Sequence, residues 1–377
     1  MEQKPMLNIT CVVGARPNFI KLAALILEFR KRPCFSVRLI HTGQHFSPEM
    51  SASFFAELEL PEPDLNLGIG GGSQTVQTAE MMKALERVFL ESRPDILVVV
   101  GDVTSTLAAS LVAAKMGIRI AHVEAGLRSF DRTMPEEINR ILTDALSDYL
   151  FVTEPSGRNN LLAEGIPAER IHFVGNVMID TLLRFREKAR RSDILARLGL
   201  ETGSYIVATL HRPSNVDSPD RLRALLGVFR ELAHELPFVF PIHPRTRGRI
   251  AEAGIATNPV TLTAPLGYLD FLHLMSNARL VLTDSGGIQE ETTILQVPCL
   301  TLRENTERPV TMECGTNRLV GTNPQAILWA AREALENRTG QAGIPELWDG
   351  EAGRRIATVL EQLVPQLPLR DTIGQVA

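Results

Sequence analysis

Two doubly wound α/β domains of Rossmann-like type, facing each other across a central cleft, are the fold class this chain predicts. Three observations carry that expectation. Short β-branched runs alternate with amphipathic helical stretches from end to end, the pattern of βαβ units and parallel sheets. The 377 residues, 44% hydrophobic and 22% charged, are enough to bury two cores. A helical, charge-rich passage, Thr181 to Leu198, contains RFREKARR and is followed by Gly199 and Gly203, after which the alternation restarts. That passage reads as the junction between a first domain, residues 1–185, and a second, residues 200–350, with residues 351–377 as a terminal helix and tail.

In chain order, the first strands are read at Leu7 to Val13, Val37 to Thr42, Ile96 to Val100, Arg119 to Val123, Tyr149 to Val152 and His172 to Val174. Each is a short apolar or β-branched run, as expected for strands covered on both faces. The second domain repeats the theme at Tyr205 to Leu210, Phe238 to Ile242, Val260 to Thr263, Ala278 to Thr283 and Pro298 to Leu302. Among the helices, Met134 to Leu146 has Pro135 at its start, and its periodicity predicts Ile138, Ile141, Leu142 and Leu146 as the buried face. Gly70, Gly71 and Gly72 read as a loop.

Composition excludes several classes of function. A net charge of -5 argues against a nucleic-acid binder, which needs a surplus of Lys and Arg. No apolar stretch approaches the roughly 20 residues of a membrane span, and the N-terminus runs straight into a strand rather than a signal segment. Cys11, Cys34, Cys299 and Cys314 are scattered without metal or redox spacing. A cytoplasmic enzyme without a membrane anchor, a metal site or a nicotinamide fingerprint is the expectation.

Ligands of such sheets lie beyond the carboxyl ends of the strands, so the residues just after each strand are the candidates. After the first strand comes GARPNFIK, where Gly14 turns the chain and Arg16 and Lys21 flank a helix start. Cations there suggest a compensating anion, although two solvated surface charges would look the same. Asp102 follows the third of these strands and Glu124, with Gly126 and Arg128, the fourth; Asp102 also has a helix-capping reading. Glu136 and Arg140 stand four apart on the next helix, which is either a surface ion pair or part of an acid cluster. Crowded carboxylates raise one another's pKa and yield one acid and one base near neutral pH.

The second domain places His211 and Arg212, then His243 and Arg245, then Glu307 and Arg308, after strands. DSGGIQEE, Asp284 to Glu291, follows an apolar strand and opens a helix through Ser285, Gly286 and Gly287. Bare backbone N–H groups at a helix start suit a phosphate, and Glu291, a turn further in, suits ribose hydroxyls. An ordinary Ser-capped turn is the alternative.

GARPNFIK, TGQH, GDVTST, HVEAGLRS, MPEEINR, VGNVMIDT, HRPSN, IHPRT, DSGGIQEE, TERP and GTNRLVGT together resemble the non-hydrolysing UDP-N-acetylglucosamine 2-epimerases, from about Leu7 to Thr322. The resemblance implies a GT-B fold, a homodimer, a UDP-N-acetyl sugar as substrate, and a last helix, Glu351 to Leu363, that returns toward the first domain. It assigns Arg16, Ser285, Gly286, Gly287 and Arg308 to the pyrophosphate and Glu291 to the ribose. Leu266, through its backbone, and Phe271, by packing, correspond to the uracil pocket. Lys21, Asp102, Glu124, Glu136 and His211 carry over to the sugar and the chemistry, with Arg140 and His243 as further substrate contacts. The chain has HRPSN where members often have HRRE, and Val310 where they have Glu after ERP. After TGQH it reads Phe46, Ser47, Pro48, where members with a second, allosteric substrate site have Arg and Gln; that loop also resembles relatives acting on diacetamido uronic acid derivatives. The implied reaction eliminates UDP to 2-acetamidoglucal and adds it back. A hydrolysing epimerase and a GT-B glycosyltransferase are the rival activities.

Overall fold

A computed structural model describes residues 6–44, 54–336 and 342–364, the side chain of Arg16 excepted. The chain divides into two compact units, Met1–Thr181 with Glu346–Ala377, and Leu182–Pro345. The division falls inside the helix Val177–Ala189.

The first unit is a parallel sheet of β1 (Leu7–Val13), β2 (Phe35–His41), β3 (Leu65–Asn66), β4 (Ile96–Val100), β5 (Arg119–Ala125), β6 (Tyr149–Val152) and β7 (Ile171–Phe173). Their order is β3-β2-β1-β4-β5-β6-β7. β4, ILVVV, is buried at every position, because helices cover both faces of a parallel sheet. The order reverses between β1 and β4, the switch point where doubly wound folds bind ligands. Gly14 turns the chain there, and a Cβ on it would stand 2.4 Å from Thr42 Oγ1 and 2.5 Å from Ser105 Oγ. Only glycine lets the first helix start so close to its neighbours. The helix Ala352–Glu361 belongs to this unit: Asp180 accepts from Gly353 N at 2.7 Å and from Ala352 N at 3.2 Å, capping it from another element.

The second unit contains β8 (Ile206–Thr209), β9 (Phe238–Pro241), β10 (Thr261–Thr263), β11 (Leu280–Thr283), β12 (Cys299–Thr301) and β13 (Asn317–Leu319), in the order β10-β9-β8-β11-β12-β13. Counted from β8, this repeats the winding of the first sheet, with the switch point between β8 and β11. Leu222, Phe229, Phe240 and Leu282 are among the side chains of its core. Both sheets answer the expected fold class. β3 and β13, of two and three residues, were not foreseen.

The helix Pro135–Leu146 corrects the periodicity reading. Its buried residues are Glu137, Arg140, Thr143 and Asp144, whereas Ile138 and Leu142 are each 42% exposed and Ile141 and Leu146 only partly covered. The inward face meets a buried network of charges, so the polar side is the one that gains partners.

Candidate active site

At the ends of β4 and β5 the first unit brings Lys21, Asp102, Glu124 and Arg140 into two ion pairs. Lys21 Nζ lies 2.5 Å from Glu124 Oε2, both side chains buried. Arg140 Nη1 lies 2.5 Å from Asp102 Oδ2. The expected anion beside Lys21 is therefore a carboxylate of the protein itself. Asp102 and Glu124 each face a cation.

Glu124 stands at φ 71, left-handed backbone that costs a non-glycine residue about 1 kcal/mol or more. The pairing of β5 with β6 shifts register between Val123 and Ala125, so Glu124 is the extra residue of a bulge. Such bulges re-aim a side chain at a sheet's end. Gly126 follows at φ 78, where a Cβ would come within 2.3 Å of the Gly157 carbonyl.

Asp102 does not cap a helix; Val103 takes the cap position of Thr104–Lys115 and makes no side-chain bond. Asn139 Nδ2 donates to the Asp102 carbonyl at 2.8 Å. Glu137, rather than Glu136, pairs with Arg140, at 2.7 Å. Glu137 also accepts from the backbone of Ser129 and Phe130 at 3.0 and 2.9 Å. Burial alone would raise its pKa, but these donors and Arg140 hold it below the usual carboxylate range. Arg140 is thus buried and occupied, a group that holds Asp102. Glu136, half-buried, sits in the same first turn, where the helix dipole favours negative charge. Arg16 begins the first helix, but its side chain, like the Phe46–Pro48 loop, lies outside the described residues.

In the second unit, Ser285 is the N-cap residue of Gly286–Leu295 but makes no capping bond, so the ordinary cap reading is not what the helix shows. A Cβ on Gly286 would stand 2.4 Å from Arg308 Nη1; the glycine admits the guanidinium to the helix start. Arg308 pairs with Glu290 at 2.8 Å and with Glu307 at 2.5 Å. Glu307 also pairs with Arg303 at 2.7 Å and faces Arg212 at 3.6 Å. Arg212, Arg303 and Arg308 thus gather around Glu290 and Glu307 at the start of this helix, the end where its dipole is positive.

Glu291 is buried, with the Tyr268 hydroxyl 3.5 Å away. Burial first, then the charge of Glu290, pushes its pKa up to about 8. His211 is largely exposed, and its Nδ1 lies 2.8 Å from Asp284 Oδ1. Asp284 also accepts from the backbone of His211 and Arg212 and from Asn215. Though burial pushes its pKa up, His211 and these donors hold Asp284 below the usual carboxylate range. His243 caps the helix Pro244–Glu252, its Nδ1 accepting from Arg245 N at 3.2 Å. Leu266, just before the helix Tyr268–Ser276, and Phe271, within it, are partly buried.

Asp284, Glu137, Glu290 and Glu307 are the supporting residues that sequence reasoning left without roles. Glu137 and Arg140 are three apart and Arg303 and Glu307 four apart, spacings that could have revealed the pairs; Asp284 and Glu290 depend on contacts far apart in sequence.

The first unit thus carries strand-end carboxylates paired with cations, and the second a glycine-opened helix start beside arginines. The chain belongs to the UDP-N-acetylglucosamine 2-epimerase family, whose model matches residues 27–361. It is 42% identical over 364 residues to a UDP-N-acetylglucosamine 2-epimerase of Methanocaldococcus jannaschii, covering 94% of this chain and 99% of that one. It is 41% identical over 361 residues to the UDP-2,3-diacetamido-2,3-dideoxy-D-glucuronate 2-epimerase of Pseudomonas aeruginosa, covering 95% and 100%. A crystal structure of the M. jannaschii enzyme in complex with UDP-GlcNAc and UDP matches with a TM-score of 0.89 at 42% identity, covering 94% of this chain and all of that one. This likeness bears out the expected GT-B class.

Proposed function

We propose that the chain inverts carbon 2 of a UDP-N-acetylhexosamine, converting UDP-N-acetylglucosamine to UDP-N-acetylmannosamine by eliminating UDP and adding it back. The observation that carries the reading is Glu124, aimed by a bulge and held against Lys21 within a member of the epimerase family. No carbonyl adjoins carbon 2, so direct deprotonation is a poor route. Breaking the anomeric C–O bond first creates a cationic centre next door that acidifies the hydrogen. Asp102, Glu124 and Glu136 form the acid/base set, and His211 orients the substrate or shares the proton transfer. Arg16, Ser285, Gly286, Gly287 and Arg308 take the pyrophosphate, Glu291 the ribose, and Leu266 and Phe271 the uracil. Proton NMR of the chain with UDP-N-acetylglucosamine should show the second epimer growing to a fixed ratio. Accumulating free UDP and N-acetylmannosamine would make it a hydrolysing epimerase.

A modified substrate is the second reading, favoured by the 41% identity to the P. aeruginosa diacetamido uronate enzyme. Turnover of that sugar and not of UDP-N-acetylglucosamine in the same NMR assay would select it.

The ribose role of Glu291 carries a pH signature. With its pKa raised to about 8 in the free protein, the group is protonated below that pH. Stability of the unliganded fold that depends on the protonated group is therefore full below about pH 4.5 and is lost as the pH rises from there to about 8. Ribose hydroxyls that donate to the carboxylate favour its ionised form, so binding releases a proton below that value. Affinity for UDP-N-acetylglucosamine should rise between about pH 6 and 8, by at most about tenfold per unit, then level off. Calorimetry with Glu291→Gln should give a flat profile; an unchanged slope in that variant would remove the ribose assignment.

The homodimer is proposed on the exposed Ile138 and Leu142, an apolar pair on the outward face of a helix whose inward face is polar. Light scattering should report a dimer for the parent and a monomer for Ile138→Arg with Leu142→Arg. A cytoplasmic enzyme is proposed because Cys11, Cys34, Cys299 and Cys314 are all thiols. Among the described residues no helix is long and apolar enough to cross a membrane.

A further inference from the structure

Behind the two strand ends that carry Asp102 and Glu124 lies a fully buried group that the proposed reaction does not use. His122, on β5, has Nδ1 2.6 Å from Asp144 Oδ1 and Nε2 2.9 Å from the carbonyl of Gly101. Asp144 Oδ2 accepts from Gly126 N at 3.0 Å and pairs with Arg128 Nη1 at 2.7 Å. Arg128 in turn donates from Nε and Nη2 to both oxygens of Glu164, each at 2.7 Å.

Hydrogen-bond roles determine where the protons sit. A carbonyl only accepts, so Nε2 of His122 must donate to Gly101. Asp144 takes donors on its other oxygen, and although burial pushes its pKa up, His122 and Arg128 hold it below the usual carboxylate range. The Gly126 N–H and the Arg128 guanidinium, both donors, hold Asp144 as a carboxylate independently of the ring, so Nδ1 of His122 must donate as well. The ring carries both protons, and its charge and that of Arg128 balance Asp144 and Glu164.

The connectivity joins the two catalytic turns. Through His122 and Gly126, Asp144 grips the chain two residues before and two residues after Glu124. Through its other nitrogen, His122 holds the carbonyl of Gly101, the residue immediately before Asp102. We propose that His122 is a positioning residue, a buried imidazolium that fixes the Glu124 bulge against the Asp102 turn. With both ring nitrogens committed to protein acceptors and the side chain buried, it exchanges no proton with substrate. The inference rests on the reading that Asp102 and Glu124 act at carbon 2.

The test begins with ¹⁵N-histidine NMR of the whole wild-type protein near neutral pH, with the His122 resonance assigned by its absence in His122→Gln or, if that variant does not fold, by through-bond correlation. Both ring nitrogens should be protonated; a ring with one bare nitrogen would overturn the proposal. His122→Gln should lower kcat by about tenfold to a hundredfold, the scale of a misplacement near 1 Å, with UDP affinity and KM within about twofold. Asp144→Asn should lower kcat likewise and leave the ring with a single proton. Parental kcat in either folded variant would overturn the positioning role. Full activity in Glu124→Gln and Asp102→Asn would instead sink the carboxylate reading, while the ring protonation of the wild type would stand as measured.

Discussion

Asp102→Asn, Glu124→Gln and Glu136→Gln should each lower kcat by roughly a hundredfold to ten-thousandfold, the range for removing a positioned acid or base. UDP affinity should stay within a few-fold of the parent, as the proposed role at the sugar carbon and not at the nucleotide predicts. The amides keep size and shape, so the loss reports the missing proton acceptor. Stability needs its own control, since Glu124→Gln leaves Lys21 buried without its partner carboxylate. Breaking a buried ion pair in this way costs about 3 to 5 kcal/mol. Thermal melts of each variant would show whether assays were run on folded protein. Parental turnover in all three folded variants would remove the acid/base assignment.

Arg308→Ala should cost roughly 100- to 1000-fold in kcat, as expected for a preorganised charge that stabilises a leaving group. Negative charge accumulates on the diphosphate as the C–O bond breaks, so the guanidinium should stabilise the transition state more than the bound substrate. UDP-sugar affinity should fall less than kcat. The variant also removes the guanidinium that faces the buried Glu290 and Glu307 at 2.8 and 2.5 Å. Arg308→Lys, which keeps the charge but not the fork, should recover stability better than turnover. An Arg308→Ala variant that loses affinity with kcat unchanged would reduce the residue to uniform binding.

Much of this architecture was readable before any coordinates. β4 and β6 start and stop where their apolar runs do, because strands buried on both faces have few polar positions to blur their ends, and β1 does so although it carries Asn8 and Thr10. Of the carboxylates expected just past a strand, Asp102 does stand beyond β4, whereas Glu124 lies inside β5 as its bulge residue. The helix Pro135–Leu146 misled, since periodicity assumes that the apolar stripe faces inward. Here the inward stripe is Glu137, Arg140, Thr143 and Asp144, satisfied by partners on other elements. Pairs such as Lys21 with Glu124, or Arg308 with Glu290, leave no local trace because tertiary folding alone brings them together. β13, at three residues, is too short for any periodicity to register.

The central claim is that carbon 2 is deprotonated and reprotonated during turnover. Incubating the chain with UDP-N-acetylglucosamine in deuterated water and following carbon 2 by proton NMR tests it most directly. Elimination and re-addition predict that solvent deuterium enters carbon 2 as the two epimers interconvert, in both the recovered substrate and the product. Interconversion with the original hydrogen retained at carbon 2 in both epimers would contradict the account.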